Sequence, residues 1–239
     1  MRTVFRRCLL VNFGVDPDVL ASALPAGIEP DLHGGEAFVS VVVAELDRMR
    51  PAFLPRAMGV TYDQIVYRAV VRCGDERGVY FLRSDADSRL MCAFGNALSF
   101  FRFHRSAIAF RDHDGMVDLD VVTAGGAADI HATYAVADAR AELPETSGFG
   151  DLSKAQAWLV ELYAAFARTP GRAHVDVVRI DRGAWNLRVV DDLRGRYAFM
   201  SAGAPFGPGA ARLDSTFLVD DIAYRWHRRE RVPVPGGAR

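Results

Sequence analysis

Short runs rich in Val, Ile, Phe and Tyr recur along this chain, separated by Gly, Pro and Asp steps. That alternation of β-formers and turn residues is the signature of many strands at hairpin spacing. The pattern predicts strands over Val4–Phe13, Ala37–Leu46, Tyr62–Cys73 and Val79–Arg83. Nothing polar except Ser40 interrupts the second of these between Ala37 and Ala44, so it is expected to be buried on both faces or nearly so. From Phe101 to Ile108 the residues alternate. Phe101, Phe103, Arg105 and Ala107 share one face, and Arg102, His104, Ser106 and Ile108 share the other. Ala107–Arg111 and Met116–Val122 flank an Asp114-Gly115 step, a hairpin signal. Asp129–Asp138, His174–Asp181, Ala184–Val190, Arg196–Ser201 and Ser215–Trp226 complete the expected strands.

Helical spacing marks the remaining segments. Asp16–Leu24 reads as a short helix with Asp16 as its cap, Pro17 at its first position and Pro25 as its stop. Ser84-Asp85-Ala86-Asp87 reads as a strand break that opens a second helix, in which Leu90, Phe94 and Leu98 recur at i, i+4 and i+8. Asp151–Arg168 carries the most regular stripe: Leu152, Ala155, Leu159, Leu162 and Phe166. Thr169-Pro170-Gly171 is expected to end it. Residues 202–214 form a Gly/Pro/Ala loop long enough to act as a flap, and residues 229–239 read as a flexible tail. No linker divides the rest. The expectation is a single domain over residues 1–228, mainly β (α+β), built as a closed or nearly closed antiparallel β-barrel with a few outer helices.

Composition narrows the chemistry. The chain has 239 residues, half of them hydrophobic and a quarter charged, with net charge −1. That balance gives no electrostatic case for a nucleic-acid partner. Lys154 is the only lysine among 29 Lys and Arg residues, so amine chemistry has one residue available. Cys8, Cys73 and Cys92 are far apart and lack C-x-x-C spacing, which predicts reduced core thiols rather than a metal or redox site. The Asp112-His113-Asp114 triplet lies at a hairpin tip, and no metal is assigned to it. The first residues lack a signal-peptide h-region, and no apolar run approaches the ~18–20 residues of a membrane span. The expected setting is cytoplasmic, with no membrane partner.

Two stretches carry a family resemblance. Arg6, Asp16, Asp18, Leu20, Pro25, Ile28 and Glu29, followed by a Val-rich strand, resemble the opening of the acetoacetate decarboxylase-like superfamily. Gly78-Val79-Tyr80-Phe81-Leu82 and Asp85-Ala86-Asp87-Ser88-Arg89-Leu90 are similar to its YqjF-like branch. The resemblance covers roughly residues 4 to 110. It implies a cone-shaped barrel around a small-molecule cavity. Acetoacetate decarboxylase works through a Schiff-base lysine whose pKa is lowered. The resemblance places the corresponding positions at Phe103, His104 and Arg105, where this chain has no lysine. It places the pocket arginine on Arg6, one pocket carboxylate on or near Asp63, and the other within Ser40–Val41, where no acid stands.

The residues therefore suggest a pocket that retains an arginine, a carboxylate and a histidine without Schiff-base chemistry. In an enzyme reading, a small carbonyl or carboxylate compound is held by Arg6 or Arg102. His104 and Asp63 then move protons, as a lyase or isomerase without a cofactor would require. The alternative is a barrel that binds a small ligand without catalysis. Self-association into a homo-oligomer is compatible with either.

Overall fold

The computed structural model describes residues 1–98, 101–140, 142–168, 173–183, 185–202 and 205–234. In chain order the elements are β1 (Arg2–Val15), α1 (Pro17–Ala23), β2 (Glu29–Pro30), β3 (Ala37–Arg50), β4 (Val60–Cys73), β5 (Glu76–Ala86), α2 (Arg89–Leu98), β6 (Phe103–His113) and β7 (Met116–Thr123). There follow β8 (Ile130–Arg140), α3 (Leu152–Leu159), β9 (Ala164–Ala167), β10 (His174–Arg182), β11 (Arg188–Tyr197), α4 (Ala198–Ser201) and β12 (Ala211–Pro233).

The strands close on themselves in the order β1-β3-β4-β5-β6-β7-β8-β11-β12 and back to β1. The β9 strand pairs with β5, and β10 joins β9 to the far half of β12, so a second, smaller loop of strands branches from the ring. All pairings are antiparallel except β5 with β6 and β5 with β9, which are parallel. The sheet is therefore mixed, a refinement of the purely antiparallel expectation. A parallel neighbour requires a crossover, and α2 supplies the one between β5 and β6.

Burial explains which strands read as continuous apolar runs. Leu9, Val11, Val41, Val43, Ile65 and Tyr67 face the interior of the ring, where they meet Leu119, Val121, Ile130 and Tyr134 from the far wall. The opposite face of the same β1–β3–β4 wall carries Cys8, Leu10, Val42 and Val70, packed against Ala155 and Leu159 of α3. Covered on both sides, these strands have no polar alternation to show. By contrast, β7 has one covered face, and Val117, Leu119, Val121 and Thr123 alternate with less buried residues.

Several local expectations are corrected. The helix expected from Asp151 to Arg168 stops at Leu159, and Ala164–Ala167 become β9. Gly78 of β5 lets this segment lie directly against it: an added Cβ there would fall 2.4 Å from the Ala164 carbonyl oxygen and 2.6 Å from the Phe166 ring. Tertiary pairing overrides the helical spacing there. The Thr169-Pro170-Gly171 stop lies outside the described residues. Ser84–Ala86 do not break the strand but complete β5, because Asp85 is consumed by Arg83 rather than by a helix cap. The Ser88 hydroxyl accepts from the Met91 N–H instead. Residues 229–233, expected in a tail, are the end of β12 and pair with His174–Val178 of β10. Asp176 is the cause. It is 2% exposed and lies 3.4 Å from Arg229 and 3.6 Å from Arg231. Residues 235–239 lie outside the described residues.

Candidate active site

Strand alternation places the last inward residues of three neighbouring strands in one row. Two residues beyond Leu9, Val43 and Ile65, on the same inner face, stand Arg7, Glu45 and Asp63. The register pairs Arg7 with Glu45 and Glu45 with Asp63. Asp87, just beyond β5, extends the row: its carboxylate accepts from the Asp63 N–H at 2.9 Å, and its own N–H donates to the Asp63 carbonyl at 3.1 Å. Across the ring, β6 contributes Phe110 and Asp112. The Arg7 guanidinium lies 5.3 Å from the Phe110 ring centre and donates to both Asp112 oxygens at 3.0 Å. Its Nε is 3.0 Å from Glu45 Oε2.

Asp63 is the unusual member. Its carboxylate makes no hydrogen bond among the described residues, while Glu45 shares Arg7. Burial pushes the Asp63 carboxyl up to about 7, the Asp87 and Glu45 charges push in the same direction, and Arg7 opposes them. A lone carboxyl among carboxylates holds a proton near neutrality because the second negative charge would go uncompensated. Ser106 of β6 is 4% exposed, and its hydroxyl has no partner among the described residues. It follows His104 on the inward-facing alternation of that strand.

Deeper inside the ring the polar groups are paired. Arg83 donates to both Asp85 oxygens at 2.7 and 2.8 Å, and Asp85 is fully buried. Tyr197 donates to Asp192 at 2.6 Å, and the Tyr134 and Tyr197 hydroxyls are 2.5 Å apart. Burial raises the Asp192 carboxyl and all three inner tyrosines, Tyr67, Tyr134 and Tyr197. With these groups paired, the Asp63 carboxyl at the Arg7 end is the one that lacks a hydrogen-bond partner among the described residues.

The residues expected from sequence divide accordingly. Asp63 lies in the row. His104 is opposite Asp85 in the parallel β5–β6 pairing, which gives it the inner-face register, and its side chain is exposed. Arg102, just before β6, is exposed, and its charge reaches the Tyr80 hydroxyl. Arg6 is not brought to Asp63. The β1 register shifts between Phe5 and Arg7, so Arg6 occupies a bulge, is 55% exposed, and pairs with Asp47 at 3.2 Å and Asp221 at 3.7 Å. Arg7, Glu45 and Asp112 were missed. Their signal was available for Glu45, which continues the Val39-Val41-Val43 alternation. It was available for Arg7 too, which stands two residues before Leu9 on the same face.

The chain matches the family model DUF2071, described as an uncharacterized conserved protein, over residues 2–209. It is 30% identical over 91 residues, 38% of either chain, to the uncharacterized protein YqjF of Bacillus subtilis (strain 168). Among solved structures it is similar to acetoacetate decarboxylase from Legionella pneumophila, with a TM-score of 0.68 and 13% identity over 97% of this chain and 86% of that one. An acetoacetate decarboxylase-like enzyme from Sphingomonas wittichii RW1 gives 0.65 and 16% over 98% and 93%. The enduracididine biosynthesis enzyme MppR complexed with pyruvate gives 0.62 and 14% over 97% and 90%. At these identities the likeness is one of fold, and it agrees with the closed, mainly β ring.

Proposed function

This chain belongs to the DUF2071 family, and we propose that it is a cofactor-free acid/base enzyme acting on a small carbonyl or carboxylate compound inside the strand ring. The observation that carries the reading is Asp63: an inward carboxyl without a hydrogen-bond partner among the described residues, poised near pH 7 beside an arginine. A general acid/base works best when its pKa is close to the working pH. In the proposed cycle a substrate oxyanion replaces Asp112 on the Arg7 fork, since Asp112 is 62% exposed and free to withdraw. Ionised Asp63 takes a proton from the carbon next to the substrate carbonyl, and Arg7 holds the enolate oxygen. The Asp63 carboxyl exchanges that proton with solvent and returns one to the enolate at a different atom or face. His104 and the Ser106 hydroxyl supply the further polar contacts from the β6 wall.

Schiff-base chemistry has little support. Lys154 lies on α3, outside the ring, is 63% exposed and is bound to Asp151 at 3.0 Å. The fold likeness to an enzyme holding pyruvate makes small 2-oxo and 3-oxo acids the first probes. The test is proton exchange at carbon in D2O, followed by NMR, over a panel including pyruvate and acetoacetate. At least one member is expected to exchange faster with the protein than without it. Asp63→Asn is expected to slow that exchange by about 100-fold, the scale of a lost general base. Binding without any exchange across the panel would instead establish a carrier or sensor and end the enzyme reading.

A further inference from the structure

Beyond the Arg7–Asp63 row, at the same end of β1 and β3, the ends of β1, β3 and β10 and the middle of β12 enclose a groove of about 430 Å³. Arg50, Arg2 and Arg225 stand side by side across it, because Arg2 is directly opposite both others in the strand register. Like charges directly opposite in a sheet repel. Arg182 and Tyr224, opposite each other on β10 and β12, line the same groove. Among the described residues, none of Arg2, Arg50, Arg182 and Arg225 has a carboxylate within ion-pair distance. The lining also holds two acids: Asp181, directly opposite Arg225 in the β10–β12 register and paired with His227 at 2.7 Å, and Asp47, paired with Arg56 of the same lining at 2.7 Å.

Behind the groove the imbalance deepens. Arg68 of β4 is 8% exposed, its Nε has no partner, and its terminal nitrogen donates to the Leu159 carbonyl at 2.8 Å. Burial and the nearby Arg182 charge both disfavour its cation, and no carboxylate among the described residues pairs with it. A buried cation without a counter-charge is strongly unfavourable, and so is a row of like charges. Both costs fall if an anion sits in the groove.

We propose that this groove is a second ligand site that takes the phosphate group of a small phosphorylated molecule, held by Arg2, Arg50 and Arg225. Phosphate fits better than carboxylate, since guanidinium groups reach in from several strands and a tetrahedral anion offers each of them an oxygen. The site is independent of Asp63 chemistry and stands whether or not the ring is an active site.

Inorganic pyrophosphate and orthophosphate, titrated calorimetrically into the full chain at fixed ionic strength, are the probes. Saturable one-to-one binding is expected. Arg2→Met and Arg225→Met, both exposed and tolerant of change, should each weaken it by about tenfold, as loss of a charge-assisted hydrogen bond does. Arg228→Met, on the same strand outside the groove, should leave it within about twofold, and so should Asp63→Asn. Binding that only tracks salt concentration, or that falls equally with Arg228→Met, would overturn the proposal. So would tight binding of an oligonucleotide with none of pyrophosphate, or a preference for citrate over pyrophosphate.

Discussion

Replacing Asp63 with Asn tests the electrostatics of the row without asking for a substrate. The side chains are nearly isosteric, so the change removes a charge and little else. Folding lifts the Asp63 carboxyl from its ordinary value of 3.8 to about 7. Between those values the folded chain keeps a proton that the unfolded chain releases, so this group makes stability fall as pH rises. About 3 pKa units correspond to a ceiling of about 4 kcal/mol. Asp63 is only partly buried, and solvent screening reduces that to about 1–2 kcal/mol. Asp63→Asn should match the wild type at about pH 4 and exceed it by about 1–2 kcal/mol at about pH 8.5, or about 2–8 °C in Tm for a chain of this length. Paired denaturant melts across this range give the difference directly, and other titrating groups cancel. A flat difference, or an Asn variant that is the weaker one at high pH, would show that Asp63 is ionised and well solvated, and the acid/base assignment would go with it.

Other outcomes follow from the same geometry. Arg7→Gln should weaken binding of a small carboxylate by about 1.5–3 kcal/mol, while Arg6→Ala on the bulge should change it by less than about 0.5 kcal/mol, measured by the same titration. Lys154→Ala should leave any activity intact, and borohydride added with acetoacetate should produce no adduct by mass spectrometry; a mass increase mapping to Lys154 would reverse this. Deleting residues 229–239 should destabilise the fold by about 3–5 kcal/mol in a denaturant melt, because it leaves the buried Asp176 charge without Arg229 and Arg231; an unchanged midpoint would mean that the end of β12 contributes nothing.

Much of the ring was legible because its causes are local. Period-two alternation marked Phe101–Ile108, the Asp114-Gly115 step marked the β6–β7 hairpin, and Asp16 with Pro17 marked α1. Each depends on residues that touch within a turn or a strand. Boundaries set by distant partners were not legible. Ala164–Ala167 has helical spacing, and only Gly78 and β10 make it a strand. Residues 229–233 look like a frayed end until Asp176 is placed beneath Arg229 and Arg231. Leu90 and Phe94 have the spacing of an inward helical stripe, yet both are about half exposed. The structure offers no partner for them among the described residues.

The candidate site shows how one residue of register alters a chemical reading. Sequence order places Arg6 and Arg7 on equal terms, and alternation from Val4 and Cys8 would turn Arg6 and Arg7 to opposite faces. Arg7 continues the inner-face alternation of Leu9 and Val11, whereas the bulge takes Arg6 out of the ladder. The consequence goes beyond naming a different arginine. Arg6 meets Asp47 and Asp221 at an exposed rim, where ion pairs contribute little. Arg7 meets Glu45 and Asp112 beside a carboxyl that has no cation of its own among the described residues. With one guanidinium shared between two carboxylates, Asp63 can stay in that row near neutral pH only by keeping a proton for part of the time. On the proposed reading the arginine and the proton form a single electrostatic unit, and that coupling, rather than either residue alone, would suit this end of the ring to moving a proton.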